Sequence, residues 1–89
     1  MPTVHLIIKG KVQGVFFRAS ARDKAQALGL TGWVKNTDEG FVESVATGSD
    51  LELEEFINWC KKGPAQAIVI GVAITHLVEE KFSQFRIKR

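Results

Sequence analysis

Val4, Leu6 and Ile8 alternate with His5, Ile7 and Lys9, so residues 3–11 are expected to form a strand. Both faces of that strand are partly apolar, which points to a central place in a sheet. The period then changes. Ala21, Ala25 and Leu28 recur at i, i+4 and i+7, predicting a helix over Ala19 to Leu28 with Gly29 as its stop. Gly32-Trp33-Val34-Lys35 reads as a second strand and Phe41 to Thr47 as a third. Between them, Asn36-Thr37-Asp38-Glu39-Gly40 has the composition of a turn, so the two strands form a hairpin. Ser49 and Glu52 have the spacing of a capping box ahead of Leu53, Phe56, Ile57 and Cys60, an apolar stripe at i, i+3, i+4 and i+7. Gly63-Pro64 ends that second helix. Ala67 to Ile74 is expected as a fourth strand, and Phe82 to Lys88 as a short fifth at the sheet edge, with Phe85 and Ile87 on one face.

The order β-α-β-β-α-β plus a C-terminal strand is the split β-α-β, or ferredoxin-like, α+β sandwich. It places two helices on one face of an antiparallel sheet. A length of 89 residues suits a single domain over residues 1–89, with a core too small to divide. Composition agrees with a folded chain: 45% hydrophobic and 25% charged. No internal repeat or low-complexity tract interrupts it.

Composition also removes several chemistries. The lone cysteine, Cys60, leaves no internal disulfide, four-cysteine zinc site or cysteine-held iron–sulfur cluster. It falls on the apolar stripe of the second helix and is expected as a buried hydrophobe. His5 and His76 lack metal-ligand spacing and fit strand faces. No metal and no cofactor are therefore expected. No apolar run approaches the ~18 residues that span a bilayer, and no signal-peptide pattern opens the chain. The expectation is a cytoplasmic protein with no membrane partner.

The net charge of +2 is too small to mark a nucleic-acid groove, but its distribution is uneven. Residues 1–35 hold six basic side chains and one acid; residues 36–60 hold seven acids and no base. Solvated faces and an anion-facing N-terminal third both fit this division.

The turn between the first strand and the first helix is the candidate site. It reads Gly10-Lys11-Val12-Gln13-Gly14-Val15-Phe16-Phe17-Arg18. Glycines four apart permit a tight strand-to-helix turn, and Gly14 allows close approach to the backbone. Successive N–H groups then converge beside a helix N-terminus, which makes an anion cradle. Arg18 at its end offers a planar fork for two phosphate oxygens. The run is neither a Walker loop nor a dinucleotide fingerprint. Two readings stand at this level: a phosphate site, or a structural turn followed by a solvent-facing arginine.

That run closely resembles the signature of the acylphosphatases. Gly29-Leu30-Thr31-Gly32-Trp33-Val34-Lys35-Asn36, followed by Val42-Glu43, is similar to a second block of the family. The resemblance continues through Gly63-Pro64 and ends in Phe85-Arg86-Ile87-Lys88-Arg89, so it covers nearly the whole chain. It implies an acylphosphate phosphohydrolase that cleaves the carboxyl–phosphate mixed anhydride into a carboxylate and inorganic phosphate. By position, Arg18 would bind the phosphoryl group and Asn36 would orient the attacking water. The amides of Gln13, Gly14, Val15, Phe16 and Phe17 would complete the substrate-binding cradle. Thr37 is expected to join the binding residues and to support the Asn36 side chain through its hydroxyl.

Phe16 and Phe17 are expected to divide between core and pocket wall, in an order the residues do not reveal. Trp33 and Trp59 are expected to pack. Asp38 and Glu39 read as turn residues rather than a catalytic pair. The family commonly carries polar residues where this chain has Ile68, Ile70 and Gly71. Both alternating sets from Ile68 to Ile74 are apolar, so this strand is expected to expose a patch suited to weak self-association of a monomer, or to a partner. Two rival functions remain. A non-catalytic anion-binding module has no need of Asn36. A nucleic-acid binder needs aromatic residues on the central strands, and only Phe41 is offered.

Overall fold

A computed structural model describes residues 1–89. Its elements are β1 (Thr3–Lys11), α1 (Phe17–Ala27), β2 (Thr31–Asn36), β3 (Val42–Thr47), α2 (Asp50–Lys62), β4 (Ile68–Leu77) and β5 (Phe85–Ile87). They form one five-stranded sheet in the order β4-β1-β3-β2-β5, with both helices on one face. This is the ferredoxin-like sandwich expected from the hydrophobic period. Along β1, Val4, Leu6 and Ile8 are buried against the helices while His5, Ile7 and Lys9 take the other face. On that open face the His5 Nε2–H donates to Glu43 Oε2 at 2.6 Å. The Lys88 ammonium there lies 4.6 Å from the Trp33 ring centroid.

The sheet is mixed rather than antiparallel. β1 pairs antiparallel with β3 and β4, and β2 with β3, but β5 runs parallel to β2. The cause is the route the chain takes after β4. Leu77 ends opposite Thr3, and residues 78–84 then cross that end of the sheet. They are pinned on the way by Glu80 N–H donating to Thr3 Oγ1, Thr47 Oγ1–H to Glu80 O, and Gly32 N–H to Gln84 O. The chain therefore meets β2 at its N-terminal end and can only run alongside it in the same direction.

Helix boundaries follow the buried stripe. α1 starts at Phe17, two residues before the expected Ala19, because Phe17 extends the row of Ala21 and Ala25 into the core. Its ring meets Trp59 edge-on at 5.4 Å. α2 carries the expected capping box: Ser49 Oγ accepts from Glu52 N–H and Glu52 Oε1 accepts from Ser49 N–H. Such a cap stabilises a helix by about 1 kcal/mol. Leu53, Phe56 and Cys60 then face the core, where Phe56 meets Phe85 at 5.7 Å. Burial pushes the Cys60 thiol pKa upward, consistent with an inert packing residue.

β4 extends three residues past the expected Ile74, since β1 offers partners along its full length and the polar pair Thr75-His76 hid the continuation. β5 is confined to three residues. Between Lys9 and Gly10 the β1–β4 register shifts, leaving Ile70 as the extra residue of a bulge. Gly10 takes φ 131° there, and a Cβ would collide with the Ile68 carbonyl. The apolar surface expected on β4 is present: Ile68 and Ile70 are 60% and 78% exposed on an outer strand. No helix is long and apolar enough to cross a membrane.

Candidate active site

Three chain segments meet at one end of the sheet because β1, β2 and β5 point the same way. The loop leaving β1 folds into α1, Asn36 closes β2, and the chain beyond β5 arrives alongside. They enclose a pocket of about 360 Å³ lined by Val12, Gly14, Phe16, Phe17, Arg18, Ala19, Asn36, Ile87 and Arg89.

The loop has the features of an anion cradle. Gly14 adopts φ 74°, with open space where a side chain would stand. Phe16 is the N-cap of α1 in a left-handed conformation, and no side chain caps the helix. The amides from Gln13 to Ala19 donate no hydrogen bond within the chain. α1 thus contrasts with α2, whose first amides are satisfied by Ser49. Uncapped N–H groups at a helix start present partial positive charge to the pocket. Arg18, in the first turn, is half-buried and forms no ion pair. With Arg89 it gives the pocket two cations and no acidic side chain.

Asn36 follows from strand geometry. Val34 is fully buried on the helix-facing side, and the period of two returns Asn36 to the same side. Its Oδ1 is buried and accepts no hydrogen bond from the protein. Leaving a buried acceptor in that state costs about 1–3 kcal/mol, so the atom is a candidate for a partner outside the chain.

The other expected site residues divide. Gly14, Phe16 and Phe17 line the pocket. Phe17 is buried in the core and Phe16 is 77% exposed at the mouth, which resolves the order of the pair. Val15 is buried and contributes only backbone to the loop. The Gln13 side chain turns away from the pocket, and its Nε2–H₂ donates to the carbonyls of Thr37 and Phe41, each at 2.9 Å. It ties the cradle to the hairpin that carries Asn36. Thr37 is not where it was expected: it does not line the pocket, its hydroxyl accepts from Phe41 N–H at 3.1 Å to close the hairpin turn, and it forms no hydrogen bond with Asn36 Oδ1.

Ile87 and Arg89 were missed as pocket residues. Val34 pairs with Ile87, and continuing that register sets position 89 alongside Asn36. The signal was the period of two through Phe85, Ile87 and Arg89, continued past the apolar residues to the charged one. No cluster of three His, Cys, Asp or Glu side chains has the arrangement to hold a metal ion.

Known proteins are similar to this chain in sequence and in fold. The family model described as Acylphosphatase matches residues 4–87. An acylphosphatase of Marinobacter nauticus is 49% identical over 83 residues, covering 92% of this chain and 90% of that one. The solved acylphosphatase structure from Coxiella burnetii superposes with a TM-score of 0.95 at 46% identity, covering 98% and 92% of the two chains. That from Bacillus subtilis gives 0.97 at 34% identity, with both chains covered completely. With a family match across nearly its whole length and the same fold throughout, this chain belongs to the acylphosphatase family.

Proposed function

We propose that the chain carries out the acylphosphatase reaction with the phosphoryl group held by the amides of the 13–17 loop and by Arg18, and with the attacking water held by Asn36. The observation that carries this reading is that Asn36, whose buried Oδ1 has no partner within the chain, lines the same pocket as Arg18, beside the uncapped helix start. Water held by Asn36 attacks phosphorus in line as the bond from phosphorus to the acyl oxygen breaks. That oxygen leaves with the bonding pair as carboxylate, and both water protons end on the phosphate. An acyl phosphate dianion and water thus give a carboxylate and dihydrogen phosphate. The leaving group is already good, so the protein's tasks are placement and stabilisation of charge on the equatorial oxygens. A neutral amide holds the water without setting a carboxylate beside a dianion. Arg89 adds a second positive charge at the same wall.

Further readings go with this one. The substrate is a small-molecule acyl phosphate and no metal takes part. The protein works in the cytoplasm as a monomer, with β4 the edge through which copies would associate weakly. The whole of residues 1–89 acts as a single domain.

Phosphate release from benzoyl phosphate in the presence of a chelator tests the proposal. Turnover is expected to persist at its full rate; a requirement for added metal would contradict the reading.

Gln13 serves as a positioning residue in this scheme. Gln13→Ala and Gln13→Glu are both expected to lower kcat about tenfold with KM changed less than threefold, since a small misplacement of the water is felt mainly in the reaction step. Neither variant can donate to the hairpin carbonyls. Unchanged kcat alongside a lowered melting temperature would reduce Gln13 to a structural tie.

A further inference from the structure

Phe16 stands where the fold has no use for a large apolar side chain. Its backbone is left-handed, with φ 63° and ψ 26°, the only non-glycine residue of the chain at positive φ. Glycine and asparagine take that conformation with least strain, and an aromatic residue gains nothing from it. Burial does not compensate, because the side chain is 77% exposed. Its neighbour Phe17 is the opposite case, buried against Trp59. Strain held at a pocket wall is a pointer to function.

The direction of the reaction says what Phe16 faces. Asn36 and Ile87 belong to adjacent, paired strands and form one wall of the pocket. With the water on that wall, in-line displacement sends the acyl group away from it, toward the mouth. Of the other apolar lining residues, Val12 and Phe17 are buried, so the large apolar surface open at the mouth is the Phe16 ring. An acyl group larger than acetyl can cover more of that ring than acetyl does. We infer that Phe16 is the acyl-group platform of this enzyme and that it selects acyl phosphates with planar or extended apolar acyl groups over small ones. The inference rests on the assignment of Asn36 to the water.

The test compares kcat/KM for benzoyl phosphate and acetyl phosphate in the wild type and in Phe16→Gly, Phe16→Asn and Phe16→Tyr. Taking the ratio of the two substrates in each protein removes their different intrinsic reactivities from the comparison between variants. Glycine and asparagine tolerate the left-handed backbone, and all three variants keep the amide of position 16 in the cradle. The benzoyl-to-acetyl ratio is expected to fall about fivefold in the glycine and asparagine variants, chiefly through KM for benzoyl phosphate, in line with a stacking contact. It is expected to stay within twofold of wild type in Phe16→Tyr. A ratio unchanged in both Phe16→Gly and Phe16→Asn overturns the inference while leaving the acylphosphatase reaction standing. Failure of the wild type to hydrolyse either substrate would instead overturn the reaction assigned above.

Discussion

Arg18→Ala is expected to lower kcat/KM for an acyl phosphate by at least a thousandfold while leaving the melting temperature nearly unchanged. The side chain is half-buried, engages no acid and lines the pocket from the first turn of α1, so little of the fold depends on it. The partner proposed for it is the transferring phosphoryl group, whose equatorial oxygens carry the charge of the transition state. Loss of one preorganised donor in such a site typically costs about 10²–10³ in rate, and a guanidinium on transferring phosphate more. Arg18→Lys keeps the charge without the planar fork and is expected to recover only part of the loss. Initial rates of phosphate release at saturating and limiting substrate make the measurement. A variant keeping a tenth of wild-type activity would remove Arg18 from the site.

Asn36→Ala carries the second large effect and a different signature. In the proposed mechanism the attacking water loses its holder, while the cradle and Arg18 still bind the phosphoryl group. A fall in kcat of about 10²–10³ is expected, with KM within threefold of wild type. Stability is expected to move the other way. The substitution deletes a buried acceptor that the protein leaves unpartnered, so the melting temperature is expected to be equal to wild type or higher. Asn36→Asp sharpens the test, since a carboxylate beside the substrate dianion is expected to raise KM as well. A stable Asn36→Ala enzyme with near-normal kcat would refute the water site.

The elements legible in the sequence are those whose signals are local. The capping box at Ser49 and Glu52 marked the start of α2 because both bonds join residues three apart. Asn36 could be placed at a strand end because the hairpin is local too. What escaped depended on distant pairings. The direction of β5 is decided by the 78–84 crossing and its bonds to Thr3, Thr47 and Gly32, contacts no short window contains. The continuation of β4 through Thr75 and His76 is decided by β1. Phe16 and Phe17 could not be told apart because the difference lies in one backbone angle. Gln13 was read as one more amide of the loop; its side chain proved to face a hairpin more than twenty residues away. Thr37 carries the expected hydroxyl, but its bond in the structure is with the Phe41 amide of its own turn and not with Asn36 Oδ1.

The three-residue β5 separates two properties that a small protein usually loses together. Phe85 anchors its near end in the core and Ile87 packs against that core at the far end, but within the sheet β5 pairs with β2 alone and Arg89 lies beyond its last residue. Outer segments of this kind open at a fraction of the free energy that global unfolding demands. Fraying there is expected to remove the wall beside Asn36 while β1, β3 and both helices stay assembled, so competence is expected to fail under milder conditions than the fold, at the tip of the shortest strand.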